Sequence, residues 1–288
     1  MKKMITILLC ISMILSFCSC TVRPTSKVMS DEEIRLISTS VALCYILDEL
    51  ELDLVGVPQS SFELPHRYDD ITRVGLPMTP DLEIIKTLRP TEILSPNSLQ
   101  YDLKPQYESV KIPSTFVNLM SVEGMFKSIQ QLGEKYDRKE KAEVLINDHN
   151  SFMEEYNKKT GGRKKPRVLI LMGLPGAYMV TTEKAYVGNL VKLAGGENVF
   201  GSDEGAFLNV NTESILATDP DIILRCAHGL PEEAKKMFAK EFKENDIWKH
   251  FRAVQEGKVY DLDYNVFNMS ASLRYKDGLN KLQKLLFE

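Results

Sequence analysis

Short apolar runs and helical patterns take turns along the chain from Ile34 onward. "IRLIST" reads as strand, "VALCYILDELE" as helix, "LVGV" as strand, "DLEIIKTL" as helix and "TEIL" as strand. Such alternation predicts parallel βα units, because a strand covered on both faces reads as an apolar run while its crossover helix shows one apolar stripe. The alternation stops near Ser121, where two helical patterns follow one another. In the second, Ala142, Leu145, Ile146, His149, Phe152, Met153 and Tyr156 fall at helical spacing, with Asp137 as the expected cap. A helix from Arg138 to Lys159 would be about 33 Å long. Gly161 and Gly162 end it in the solvated basic run "KKTGGRKKP", and "RVLILM" opens a second βα series.

The predicted fold is therefore α/β: two Rossmann-like lobes with parallel sheets, at 34–136 and 163–288, joined by one long backbone helix within 137–162. A weak repeat agrees. "EIIKTLRPTEIL" from Glu83 and "ESILATDPDIIL" from Glu213 both read as a short helix, a proline that stops it and a buried strand. Two similar lobes facing each other make a cleft.

The first residues follow a different pattern. Lys2 and Lys3 precede the apolar run Met4 to Phe17, too short to anchor in a bilayer, so residues 1–19 are expected to be a secretory signal. Small Ser19 stands before Cys20, which makes Cys20 the expected lipidated residue and 20–33 a tether. Cys18, behind bulky Phe17, is the alternative. Stable anchoring would take several acyl chains, which makes palmitate or a similar acyl group at the membrane's outer face the expected attachment. Without residues 1–19 the chain carries 34 basic and 40 acidic residues, a formal charge of −6, which argues against nucleic acid and against a polybasic membrane contact. Only Cys44 and Cys226 remain after Cys20; both are expected to be free and buried.

No catalytic signature assembles: the chain lacks GxSxG, P-loop, GxGxxG and HExxH patterns, and its four histidines have no paired zinc-ligand spacing. His149 falls in the apolar stripe and reads as packed; His66 and His250 read as surface residues. His228 follows the buried run "PDIILRCA" and precedes Gly229 and Pro231, on the loop leaving the carboxyl end of a strand, where open α/β sheets bind ligands. A plain loop histidine is the alternative. Met78, between Pro77 and Pro80 ahead of the helix carrying Glu83, occupies the matching place in the other lobe; a gap-filling core methionine is the alternative. A thioether and an imidazole meeting across the cleft would make an axial pair for haem iron, and the two prolines would stiffen the mount. Haem also carries two propionates. Thr39, Ser40, Val41 and Ala42 lie at a helix start, where free N–H groups attract carboxylates, and Ser60, Ser61 and Phe62 lie on a second candidate loop. Ordinary N-capping explains the first group equally well.

These stretches carry a resemblance. "GLPMTPDLE", "VLILMGLPGAY", "LVKLAGGENV", "DPDIILRCAHGLPEEAKKMF" and "KEFKENDIWKHF" resemble the haem-binding lipoproteins of Gram-positive iron-regulated surface determinant uptake systems, a branch of the helical-backbone substrate-binding proteins, across nearly all of the chain after the signal. The resemblance implies a monomeric, non-enzymatic carrier of one haem b, with iron held by Met78 and His228. It also implies upstream surface proteins as haem donors and delivery to the membrane permease of an ABC transporter. Glu83 and Glu213 would dock on permease arginines, solvated helix-start glutamates being the alternative. Ala227 stands before His228 where the family often has proline, and Cys226 is expected to point away from the cleft. The alternative ligand on the same fold is a ferric siderophore or cobalamin.

Overall fold

The computed structural model describes residues 34–174, 176–201, 205–228 and 230–288; the expected signal, the tether and both Cys18 and Cys20 lie outside them. The N-terminal lobe is built on β1 (Leu36–Ser38), α1 (Val41–Glu49) and β2 (Leu54–Gly56), then a hairpin of β3 (Gly75–Leu76) and β4 (Thr79–Pro80). It continues with α2 (Leu82–Thr87), β5 (Glu92–Pro96), α3 (Gln100–Ser109), β6 (Ser114–Val117) and α4 (Val122–Lys135). Its main sheet runs β2-β1-β5-β6, parallel throughout. Helix α5 (Lys139–Thr160) then leads to the C-terminal lobe.

That lobe contains β7 (Arg167–Leu174), β8 (Ala177–Thr181), α6 (Tyr186–Leu193), β9 (Glu197–Asn198), β10 (Phe207–Leu208) and α7 (Thr212–Leu216). It ends with β11 (Ile222–Ala227), α8 (Pro231–Glu244), α9 (Arg252–Gln255), β12 (Val259–Asp261) and α10 (Tyr275–Phe287). Its sheet runs β10-β8-β7-β11-β12, with β9 beside β7. The β7–β11–β12 centre is parallel, but β8 folds back on β7, with Gly176 at φ 79°, and pairs antiparallel with it and with β10. The second sheet is thus mixed where the sequence pattern suggested parallel pairing throughout, because two residues between the strands leave no room for a crossover helix.

Strand alternation sorts the apolar side chains into three layers. Leu36, Leu94, Val168, Ile170, Met172, Ile222, Leu224 and Cys226 share one core, into which α1, α4, α6 and α10 also pack. Their neighbours point the other way: Ile37 and Ile93 into an outer core of the first lobe, Leu169, Leu171 and Ile223 into an outer core of the second. The middle layer is common to both lobes.

Polar contacts reinforce it. Asn189 on α6 accepts from Val122 N–H at 2.9 Å and donates to Glu123, capping the start of α4 from the other lobe. Tyr156 of α5 donates to the Leu279 carbonyl at 3.0 Å, and Ala271 N–H donates to the Leu119 carbonyl at 2.7 Å. The stripe predicted for the long helix is the face that packs: Ala142 and Tyr156 are buried, and the five between them are partly buried. Asp137 does not cap α5. It takes φ 56° in the turn between α4 and α5, and Arg138 is the residue at the N-cap position. A short polar side chain tolerates the left-handed region better than most, so the turn uses Asp137 for its backbone.

The N-terminal lobe also has a buried ion cluster. Glu92, opening β5, accepts from Lys135 and Tyr136 at the end of α4 and from Thr115 on β6. Burial works to raise the carboxyl pKa, but these three donors outweigh it and hold Glu92 below the ordinary carboxylate value of 4.5. A carboxyl depressed in the folded state contributes stability above its unfolded pKa, lost as pH falls through the folded one. Urea titrations should therefore show Glu92→Gln less stable than the wild type by about 1–3 kcal/mol at pH 7. The difference should shrink as the pH falls below about 4.5.

Candidate functional site

Met78 stands at the tip of a two-residue hairpin. Gly75 pairs with Pro80 and Leu76 with Thr79, leaving Pro77 and Met78 as the turn. Pro77 pre-sets φ for the first turn position, and Pro80 on a two-stranded edge loses no ladder bond. Gly75 at φ 94° would bring a Cβ within 2.8 Å of Asp81 N, so only glycine lets the hairpin fold back this tightly. Gln59 N–H donates to the Gly75 carbonyl at 2.8 Å, which ties the hairpin to the loop carrying Ser60, Ser61 and Phe62. The thioether fills no core: Met78 is 56% exposed.

The sequence repeat puts Met78 opposite Leu208 and His228 opposite Ser98, so the two candidate ligands are not repeat equivalents. What they share is a place on loops beside a sheet in each lobe.

His228 follows β11 directly. The ladder runs one bond past the strand, from His228 N–H to the Gly173 carbonyl at 2.9 Å. Alternation then carries His228 to the same side as Cys226, which faces the shared core. This corrects the expectation that Cys226 points away while His228 points in: residues two apart share a face. Cys226 is disqualified as a ligand by burial instead, which pushes its thiol well above the ordinary value. The His228 imidazole is partly buried, and desolvation pushes its pKa down, keeping it neutral and its lone pair free. Two residues on, Leu230 takes φ 38° at the N-cap position of α8, and Pro231 begins the helix.

Beside this loop lies a cavity of about 660 Å³. Its lining combines Cys226 and Ala227 at the end of β11, the first turns of α8, the segment 261–265 after β12, and Ser61 and Phe62 from the first lobe. Neither Met78 nor His228 is part of that lining. Arg225 holds Asp261 through two hydrogen bonds of 2.7 Å while its guanidinium lies over Phe242 and Phe238.

At the start of α1 the hydroxyls turn inward. Thr39 donates its N–H to Leu94 and shares its hydroxyl with Ser95 at 2.7 Å, which in turn meets Tyr107; Thr39 is 1% exposed. Thr39 is thereby withdrawn from the group of four. Ser40 has the extended backbone of an N-cap without a side-chain cap bond, and Val41 and Ala42 are partly buried, so the backbone N–H groups of the helix start are the better donors. Ser60 accepts from Phe62 N–H at 3.0 Å.

The remaining histidines sit as read. His149 stacks on Phe126 at 4.0 Å and shares a hydrogen bond with Tyr275; His66 and His250 are exposed. Glu83 and Glu213 are exposed in the first turns of α2 and α7, whose N-caps are Asp81 and Asn211. No cluster of three or more His, Cys, Asp or Glu among the described residues fits a metal ion. No described helix is long and apolar enough to cross a membrane.

Three side chains escaped the sequence reading. Of seven large apolar side chains exposed among the described residues, Leu76, Met78 and Leu230 fall on the two candidate loops. Leu76 and Leu230 had no sequence signal beyond sitting beside Met78 and His228. The third, Tyr264, is taken up below.

Comparison with known proteins decides the family. The periplasmic binding protein profile matches residues 36–266. The chain belongs to the periplasmic binding protein family. As a periplasmic binding protein it is a carrier of a ligand and not an enzyme. It is 44% identical to the high-affinity heme uptake system protein IsdE of Staphylococcus aureus over 288 residues, covering 99% of this chain and 98% of that protein. The crystal structure of S. aureus IsdE complexed with heme superposes with a TM-score of 0.86 at 44% identity, covering 89% of this chain and 100% of the other. An ABC transporter substrate-binding protein from Listeria monocytogenes is 48% identical with a TM-score of 0.84, covering 89% and 99%.

Both cysteines among the described residues are free and lie inside the core, and burial pushes Cys44 up to about 12. Mass spectrometry after treatment with a thiol reagent at pH 8 should find Cys44 and Cys226 unlabelled in the folded protein and fully labelled in denaturant.

Proposed function

We propose that this protein captures one haem in the cleft between its lobes, with Met78 and His228 as the axial ligands of the iron, and delivers it to an ABC permease for iron acquisition. The observation that carries this reading is the full-length likeness, at 44% identity, to a protein solved with heme. The residues agree with it. An exposed thioether on a proline-stiffened hairpin and a neutral imidazole at the carboxyl end of β11 offer one soft and one borderline ligand, which favours a low-spin haem of raised potential. Exposed Leu76 and Leu230 supply apolar surface beside each ligand, and the N–H groups of Val41 and Ala42 would receive a propionate at the start of α1. Ser60, Ser61 and Phe62 would border the porphyrin.

The protein works on the outer face of the membrane, held by acyl chains on Cys20, and acts as a monomer that receives haem from surface donor proteins. Exposed Glu83 and Glu213, one on each lobe, would meet permease arginines. Because the shared core joins the lobes, binding moves loops rather than swinging the lobes about a hinge.

Titration with ferric haem should give a one-to-one complex with a sharp low-spin spectrum. Met78→Ala and His228→Ala should each change that spectrum and weaken retention by at least about tenfold, since even the outer partners of metal ligands are worth ~10–100-fold. His66→Ala and His250→Ala should leave both unchanged. A wild-type protein that shows no Soret shift and instead binds a ferric siderophore tightly would overturn the proposal.

A further inference from the structure

Two aromatic rings from different lobes meet in the lining of the cavity beside His228. Phe62 and Tyr264 meet with ring centroids 5.0 Å apart, tilted by 42°, and both line the cavity. The other ring contacts between the lobes described above gather on α5 and α10, where Tyr275 packs with Phe126 and His149. Phe62 and Tyr264 instead meet where the chain leaves β2 and β12, each an edge strand of its sheet.

The two halves of this contact are held very differently. Tyr264 sits on a segment fixed at several points. Asp261 is gripped by Arg225, whose guanidinium is sandwiched against Phe242 and Phe238. Leu262 N–H donates to the Arg225 carbonyl at 2.8 Å, Asp263 pairs with Lys281 on α10 at 2.8 Å, and Asp263 also accepts from Asn265. Leu262 and Val266, on either side, are buried in the shared core. Phe62 lies on the segment 59–63, which forms no helix or strand and ends where Leu64 packs against the shared core. It is held by the Gln59–Gly75 bond, the Ser60–Phe62 turn and a 3.2 Å bond from the exposed Tyr45 hydroxyl to the Glu63 carbonyl. A segment with few buried contacts opens at low cost, while one tied into the core does not.

We propose that Phe62 and Tyr264 form an aromatic clasp across the cleft, with Tyr264 as the fixed post and the Phe62 loop as the part that swings, and that this clasp sets how fast ligand enters and leaves. With the lobes joined by one core, movement of the Phe62 loop is the way the mouth of the cavity can widen. A clasp that closes over both the empty and the filled cleft slows entry and exit by the same factor and leaves the affinity alone. The charged groups around the cavity are already paired, Arg225 with Asp261, Asp263 with Lys281 and Glu232 with Lys235, so the ring contact is left as the adjustable part. Arg225 acts here through Asp261 as a positioning residue. The choice of ligand rests on the haem reading above; the clasp itself does not.

Two measurements test it. In stopped-flow mixing with ferric haem, and in transfer from the loaded protein to excess haem-free globin, Tyr264→Ala should speed both association and dissociation. The expected factor is about two- to twelvefold, the range an aromatic pair is worth. The dissociation constant should stay within about twofold and the spectrum unchanged, because Tyr264→Ala leaves both proposed iron ligands and the Phe62 ring itself in place. Unchanged rates in Tyr264→Ala would overturn the clasp. So would faster dissociation alone with an altered spectrum, which would make Tyr264 a ligand contact. The second measurement needs no haem: in the ligand-free protein, Tyr264→Ala should raise hydrogen exchange at amides 60–63 several-fold and change those of 262–266 little. Exchange that does not change at 60–63 would overturn the clasp even if the wild type bound no haem, and failure of the wild type to bind haem would count against the haem reading alone.

Discussion

One apolar core shared by both lobes is the constraint on which the rest of the structure depends. β1 and β5 from the first sheet and β7 and β11 from the second send alternate side chains into it, and α1, α4, α6 and α10 close it. Pulling the lobes apart would uncover the side chains that α4 and α6 bury against each other, at roughly 25 cal/mol for every Å² uncovered. It would also strand Asn189, which caps α4 from the opposite lobe, and the Tyr156 hydroxyl, which reaches α10. Domain opening is thereby costly, and the cleft is built once, at folding.

From that follows how the site must be made. If the lobes do not close on a ligand, the groups that hold it have to project from loops already at the right height. In the proposed haem site the Met78 hairpin would meet this need with two prolines and a glycine that permit little other than one tight turn. The His228 loop would do the same with a ladder bond on one side and a left-handed Leu230 and Pro231 on the other. Leaving Met78, Leu76 and Leu230 more than half exposed is a poor use of apolar surface in a protein that binds nothing, and a sensible one beside a flat hydrophobic ligand. With stiff mounts on joined lobes, the proposed clasp leaves exchange to a loop.

The layering was legible in the sequence because strand and helix periods write it directly: the α5 stripe, the two helix–proline–strand segments around Glu83 and Glu213, and the apolar runs of β5 and β11 are local signals. Arg89 and Asp219, each just before the repeated proline, take the same left-handed backbone, at φ 46° and 41°, so the repeat extends to the turn. What escaped depended on pairing at a distance. The antiparallel β8 return needed the register of β7, and the inward use of the Thr39 hydroxyl needed Ser95 and Tyr107 from other elements. Asp137 looked like a cap because its type suits one, yet the short link between α4 and α5 needed its backbone instead. The facing of Cys226 was misjudged although the two-residue period of a strand contains the answer. Tyr264 had no local signal, since its meaning comes from Phe62, some two hundred residues earlier.

The central claim is that one sulfur and one imidazole hold the iron from opposite lobes. X-ray absorption at the iron edge of the haem-loaded protein tests it most directly, because sulfur and nitrogen scatterers are distinguished by distance and amplitude without reference to affinity. A single sulfur at bonding distance together with an imidazole is expected, the sulfur lost in Met78→Leu while the imidazole stays. A shell of nitrogen and oxygen alone, or a sulfur that survives Met78→Leu, would contradict it.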